Sequence, residues 1–259
     1  MKKKAAIICP IKNEETYIKK FFEYYQKHID VSDIYILDFG SSEEYIKNVI
    51  GENATVIKTD ANILDAIELF EAMRSAQRDL YKEYTYVLPL DVDEILYYHA
   101  EGGLKKYLQE TEVELVSCRG HEVIHLPFLQ DPIDLSKKWM DQIEYWYPNH
   151  FHYGKTLISK KELEWETGFH TYSGETMDIR DKNIDHNLFL IHLHRHDFET
   201  TMSRHIKWSG MEWSEFTLKN KLNYHYTEKS KEKLIDWYYK PLSSKIYTFP
   251  EIIKKNIDI

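Results

Sequence analysis

Glycine-rich phosphate cradles are missing from this chain. Neither G-x-G-x-x-G nor G-x-x-x-x-G-K-[ST] occurs, which removes support for a dinucleotide-binding Rossmann domain and a P-loop NTPase. Any nucleotide would have to be held by a metal and scattered polar groups. Cysteine is scarce: Cys9 and Cys118 lie far apart, cannot make a metal knuckle by themselves, and fit a reducing compartment. No stretch approaches the ~20 apolar residues that span a bilayer. The basic start MKKKAAIICP has an apolar run too short for a signal peptide and meets the charged KNEE at once, so a cytoplasmic protein is expected. Excess positive charge is lacking too, and the formal net charge of −9 argues against wholesale nucleic-acid binding. Repeats, low-complexity tracts and Gly/Ser linkers are absent, so composition marks no second domain.

What is present suits a globular chain. The 259 residues are 42% hydrophobic and 14% aromatic, enough to bury about 70–75% of the unfolded surface without staples. Ala5 to Cys9, Ile34 to Leu37, Thr55 to Lys58 and Tyr84 to Leu90 read as short buried strands. Between them, Asn13 offers a cap to a helix carrying Ile18, Phe21, Phe22 and Tyr25. Gly40 and Ser41 supply turn and cap for a helix from about Ser42 to Val49. Ile63, Ala66, Ile67, Phe70, Met73 and Ala76 mark a long amphipathic helix. Four alternations of strand and helix imply an α/β fold with a mostly parallel sheet and right-handed crossovers. The polar loops at Asn13, Asp38 and Asp91 then gather at the carboxyl edge, where open sheets bind ligands.

The last of these loops is the most chemically pointed. In YTYVLPLDVDEILYY the apolar strand breaks into Asp91, Asp93 and Glu94. If the backbone stays extended, Asp91 and Asp93 share one face. Carboxylates about 4 Å apart repel by roughly 4 kcal/mol at an effective dielectric near 20, so the pair calls for a cation. Such oxygen ligands suit Mg2+ or Mn2+ with phosphate oxygens completing the shell. The competing expectation is a helix cap, with a turn starting at Glu94.

CPIKNEETYIKKFF, YILDFGSS and VLPLDVDEIL resemble, in order and spacing, the successive motifs of the GT-A nucleotide-sugar glycosyltransferases. The nearest branch is the family 2-like one, whose first motif contains KNE and whose metal motif reads DxDE. The resemblance covers roughly residues 5 to 98, with weaker echoes to about residue 207. It implies a nucleotide pocket lined by Pro10, Lys12, Asn13 and Glu14, with Asp38 near base or ribose. Asp91 and Asp93 would hold Mn2+ or Mg2+ across the diphosphate. The second motif departs from the pattern, since DFGSSEE lacks the common second aspartate and leaves base and ribose contacts less defined.

In the second half, Leu115 to Ser117 and Glu122 to His125 read as strands. Trp139, Tyr145, Trp146 and Tyr147 suit either core packing, the favoured use, or a sugar-stacking platform. His192, His194 and His196 alternate in NLFLIHLHRHDF, so a strand would place all three on one face; hydrogen-bonded or solvated histidines are the alternative. The resemblance implies that a late histidine completes the metal shell, and His194 is taken over His192. It also implies that Lys155 and the Gly168–His170 pair match positions where a lysine before a strand and a histidine after a glycine recur, bringing His170 to the reaction centre. Arg195, Arg204 and Lys207 are expected to neutralise the diphosphate. An inverting route needs a carboxylate base, for which Glu122, Asp131, Glu166 and Glu175 stand open, as does a retaining route.

From Trp213 the chain alternates lysines with Tyr224, Tyr226, Trp237, Tyr238 and Tyr239, which suits a solvated helical appendage or peripheral contact with the inner face of an anionic membrane. The resulting expectation is a GT-A-like α/β domain over residues 1–210, with a nucleotide-binding half at 1–98 and an acceptor half at 99–210, followed by a helical, aromatic appendage at 211–259. The expected activity is metal-dependent transfer of a sugar from a UDP- or GDP-sugar to a glycan or lipid-linked acceptor hydroxyl in surface polysaccharide or glycan assembly. A metal-dependent nucleotidyltransferase or phosphohydrolase, and a non-catalytic sugar-nucleotide-binding scaffold, are the rivals.

Overall fold

The four apolar runs of the first half become strands β1 (Lys3–Ile11), β2 (Ile34–Asp38), β3 (Thr55–Lys58) and β4 (Tyr84–Pro89) in a computed structural model. The structure describes residues 2–59, 64–166 and 168–259, and Tyr224 by its backbone alone. These strands form one sheet in the order β3-β2-β1-β4, parallel throughout. Parallel neighbours need crossovers. The helix Ile18–Tyr25, the short helical segment Glu43–Ile50 and the helix Ala66–Leu80 provide them. Ser42 caps the second, accepting from the Tyr45 N–H at 3.1 Å. Asp65 caps the third, accepting from Ile67 and Glu68. Ile63, expected in that helix, lies outside the described residues.

Two local expectations are corrected. Asn13 caps no helix: its φ is 47°, and it ties the first two loops together through Ser41 Oγ at 2.8 Å and the Ser42 N–H at 3.0 Å. Glu14 accepts from the Thr16 and Tyr17 N–H groups instead. The backbone also does not stay extended through Asp93. Glu94 N–H donates to Asp91 O at 3.0 Å while the Glu94 carboxylate accepts from the Asp91 N–H at 2.8 Å. This reciprocal turn feeds a new strand, β5 (Glu94–Tyr98), rather than a helix.

A second sheet carries β5, β6 (Leu115–Ile124), β7 (Tyr145–Pro148), β9 (Ile184–Arg195) and β10 (Tyr247–Thr248), with β8 (Ile158–Ser159) paired to β6. Its strand pairs are antiparallel except β6 with β9. β6 runs unbroken through the two shorter strands expected there, with register shifts against β9. One core joins the sheets: Ile7 and Leu88 from the parallel sheet share a cluster with Ile95, Val116 and Leu190. Phe249, Ile253, Ile257 and Ile259 enter the same cluster, so the C-terminal segment is packed into the body. Trp139, Trp146, Tyr147 and Tyr238 are buried, which assigns the first three to core and removes Tyr238 from any membrane-facing surface. Among the described residues no helix is long and apolar enough to cross a membrane.

Candidate active site

The carboxyl ends of β1 and β4 and the end of β9 open on one cleft of about 190 Å3. Pro10, Lys12, Asp91, Asp93, His170, His192, His194 and Arg204 line it. The seam between the sheets brings Asp93 to the histidines. Glu94 pairs with His192 in the antiparallel β5–β9 ladder, and Leu193 N–H donates to Asp93 O at 2.7 Å. Asp93, His192 and His194 therefore present ligand atoms all within 4.8 Å of one another, each residue buried. Asp91 lies outside that group. The turn sends its carboxylate toward Lys155, 3.4 Å away, and leaves it 35% exposed.

Charge around Asp93 is balanced from both sides. Arg204 Nη1 donates to Oδ2 at 2.6 Å and Arg204 Nε to Glu14 Oε2 at 3.0 Å. His192 Nε2 lies 3.5 Å from Oδ1, and its Nδ1 lies 3.4 Å from Glu122. Burial opposes charge on Asp93, but Arg204 and His192 outweigh it and hold the carboxyl well below the usual range. Burial likewise disfavours the His192 cation, yet Asp93 and Glu122 lift its pKa to about 10. His194 is the opposite case: burial, with His205 and Arg204 nearby, keeps it neutral. Its Nδ1 faces Asp93 Oδ2 at 4.0 Å.

One carboxylate and two imidazoles suit a divalent cation such as Mn2+, and the donor set fits one here. A cation would replace the charge that His192 carries, since a ligating imidazole must be unprotonated. Tyr153 packs on His192 with ring centroids 4.1 Å apart. Gly120 in β6 permits that approach, because an added Cβ would lie 2.3 Å from the Tyr153 carbonyl carbon.

Other expected residues fall elsewhere. Lys155 is fully buried against Glu94, at 2.7 Å, and Asp91, while Arg195 pairs with Glu122 and stacks over Trp237. Neither lines the cleft, because internal carboxylates take both charges. Glu122 is a partner of Arg195, Tyr147 and His192. Glu166 is exposed and bonds Thr171, Glu175 pairs with the buried Arg180, and Asp131 is exposed, so none of the four proposed bases reaches the cleft. Asp38 is buried behind the rim with Oδ1 accepting from the Ser41 N–H at 2.9 Å; its neighbour Phe39 lines the cleft. Lys207 Nζ donates to Asn13 O at 2.6 Å. His196 leaves the cleft altogether, stacking on Trp139 at 4.4 Å and meeting Tyr17 Oη at 3.1 Å. His170 does reach the cleft with its Nδ1 lacking a hydrogen-bond partner among the described residues; burial, together with Lys155 and His192, keeps the ring neutral.

Sequence reading missed the aromatic wall made by Trp208, Trp213, His225 and Tyr226. It also missed His205, which bonds His194 from behind. A usable signal existed only for the helix Phe198–Ser209, where Thr201, Arg204, His205 and Trp208 fall at i, i+3, i+4 and i+7.

Fold and site thus define an α/β protein with a cleft that can seat a divalent cation at its sheet edge. No family model and no curated protein matches the chain. Among solved structures, glucosyl-3-phosphoglycerate synthase from Mycobacterium tuberculosis with Mn2+, UDP and glucosyl-3-phosphoglycerate is 18% identical, over 46% of this chain and 44% of that one, with a TM-score of 0.31. The same synthase with Mn2+ and UDP-glucose gives 18% identity, the same coverage and a TM-score of 0.32. A mycobacterial protein is similar at 17% identity over 46% of this chain and 41% of that one, with a TM-score of 0.33. The aligned part spans less than half the length of each, and likeness of this size assigns neither substrate nor activity.

Proposed function

We propose that this chain is a GT-A-like, metal-dependent glycosyltransferase that moves a sugar from a nucleoside-diphosphate sugar, UDP- or GDP-linked, to a hydroxyl of a glycan or lipid-linked acceptor in surface polysaccharide or glycan assembly. The carrying observation is the group Asp93, His192 and His194 in a cleft at the carboxyl edge of a parallel sheet. A divalent cation bound there would offset the negative charge that grows on the departing diphosphate. Arg204, held by Glu14 and Asp93, adds a guanidinium on the same side, and Lys12 supplies a second cationic group at the cleft. Pro10 and the Asn13–Ser42 link shape the nucleotide side, with Asp38 behind them and Asp91 at the mouth. His170 faces the cleft as a neutral ring whose bare nitrogen can accept a hydrogen bond from an acceptor hydroxyl.

Thermal shift with UDP-, GDP-, CDP- and TDP-sugars, each with Mn2+ and with EDTA, tests this reading. A donor at 100 times its dissociation constant should stabilise by about 2.7 kcal/mol, and only with the cation. Equal shifts in EDTA would sink the metal role. Stabilisation by nucleoside diphosphates with release of nucleotide but no transfer to any acceptor would favour phosphohydrolase chemistry.

A further inference from the structure

His205 touches neither the carboxylate nor the cleft mouth, yet its contacts fix where protons sit on His194. His205 Nδ1 is 2.7 Å from the carbonyl oxygen of His225. A carbonyl only accepts, so that nitrogen carries the proton. In a neutral ring Nε2 is then an acceptor, and it lies 2.8 Å from His194 Nε2. His194 Nε2 must therefore donate. A neutral His194 protonated there has a bare lone pair on Nδ1, the atom that faces Asp93 Oδ2 at 4.0 Å. A lone pair facing a carboxylate at this range is poorly matched unless a cation enters between them.

The surroundings hold this arrangement. His205 is fully buried, its ring is nearly parallel to His194 at 9°, and Trp237 packs edge-on against it at 4.6 Å. Tyr226 covers both imidazoles, at 5.2 Å from His205 and 5.6 Å from His194.

We infer that His205 is a positioning residue that sets the tautomer and ring orientation of His194, so that Nδ1 is presented to a divalent cation shared with Asp93. The inference rests on the metal reading above. It follows the general pattern in which a ligating histidine hands its second nitrogen to a fixed partner. Here that partner is another imidazole, itself anchored by a backbone carbonyl that does not titrate. The carbonyl belongs to the short helix Tyr224–Thr227, which connects the ligand to a segment more than twenty residues further along the chain.

Two measurements on the full chain test it. Long-range 1H–15N correlation spectra of the metal-free protein should show His194 protonated at Nε2 and bare at Nδ1. Titration with Mn2+ alone, followed by calorimetry, should show His205→Leu weakening binding by about 10–100-fold. His205→Gln, whose amide oxygen can accept from His194 Nε2–H, should recover most of that loss, a difference that bulk packing alone would not produce. If His205→Leu does not fold, the wild-type spectrum and His205→Gln carry the test. A wild-type His194 protonated at Nδ1, or unchanged Mn2+ affinity in folded His205→Leu, overturns the inference. A wild type with the expected tautomer that binds no Mn2+ overturns the metal reading itself and with it the role of His205, so the two failures are distinguishable.

Discussion

The parallel sheet and the mixed sheet reach the same cleft by different means. In the parallel sheet polar groups follow directly on apolar strands: Asp38 ends β2, and Asp91 follows β4. Their place is set by strand ends alone. In the mixed sheet Glu94, Glu122 and Arg195 lie within strands and Lys155 lies just before β8, and long-range pairs decide which of them stays available. Glu122 in β6 takes Arg195 of β9, and Lys155 takes Glu94 of β5. Burying such charges is tolerable only when they are paired and hydrogen-bonded, so Lys155 and Arg195 are spent internally. Asp93 stands at the seam, delivered by the first sheet and met by histidines of the second. The comparison teaches that the cleft needs both: a carboxylate from an edge that sequence can locate, and imidazoles from a face that only packing can assemble.

Asp93→Asn should break this division most severely. The amide cannot supply an anionic ligand, and it leaves Arg204 and His192 without their shared carboxylate. We expect loss of the Mn2+-dependent thermal shift, transfer reduced by at least about 100-fold, and metal-free stability lower by about 3 kcal/mol, the cost of breaking a buried pair from one side. A Mn2+ titration indistinguishable from wild type would move the cation away from the seam.

The three histidines of the β9 segment separate ligand from packing within one stretch. His192→Ala and His194→Ala should each weaken Mn2+ binding by about 10–100-fold or more. His196→Ala should leave it intact while lowering metal-free stability by roughly 1–3 kcal/mol, since its ring is held by Tyr17 and Trp139. Calorimetric titration beside urea melts reads both quantities. Equal Mn2+ responses in all three variants would mean that the imidazoles are structural throughout.

Legibility follows the same border. Thr55–Lys58 is a strand with the bounds expected of it, because a β-branched run flanked by polar residues is a local signal. Asp93 was legible for the same reason, and the period-2 spacing singled out His192 and His194. The same spacing wrongly added His196, because β9 ends at Arg195 and periodicity cannot report where a strand stops. Lys155, expected near the diphosphate from the resemblance, and Arg195, expected there from its place beside the histidine run, are held by partners that lie 61 and 73 residues away. His205, Trp208 and Tyr226 were hidden for that reason too: a helix face shows which residues point together, not which strand it will cover.

The C-terminal segment offers a milder test of the border. Tyr238 donates to His125 O at 2.8 Å and Arg195 O at 3.2 Å from a fully buried position. Tyr238→Phe should therefore cost about 1–2 kcal/mol in global unfolding by urea. Were residues 211–259 a detached appendage, the same change would leave the main transition where it is. Binding of this variant to anionic vesicles should match wild type at low salt.

The smallest effect expected is a slope with pH, and it comes from a histidine outside the cleft. His121 stacks on Trp146 with centroids 4.1 Å apart. Burial pulls its pKa down to about 4, helped by the Arg119 charge and opposed by a bond to the Arg119 carbonyl. An unfolded histidine titrates near 6.5. The folded pKa is the lower one, so the unfolded chain binds more protons between these values. The stability this group contributes is fully present above about pH 6.5 and is lost as pH falls toward 4. Between pH 7 and pH 5 the loss should be of order 1–2 kcal/mol. His192 works in the opposite sense, since its raised pKa of about 10 keeps it charged in the fold throughout that window. A single melt therefore mixes the two. Comparison with His121→Phe removes the mixture, because the variant keeps the stack on Trp146 and leaves His192 unchanged. Wild type should lose about 1–2 kcal/mol more than His121→Phe between pH 7 and pH 5. Parallel slopes in the two proteins would mean that the ring is solvated enough to titrate normally, and that this face of the mixed sheet is wetter than its packing indicates.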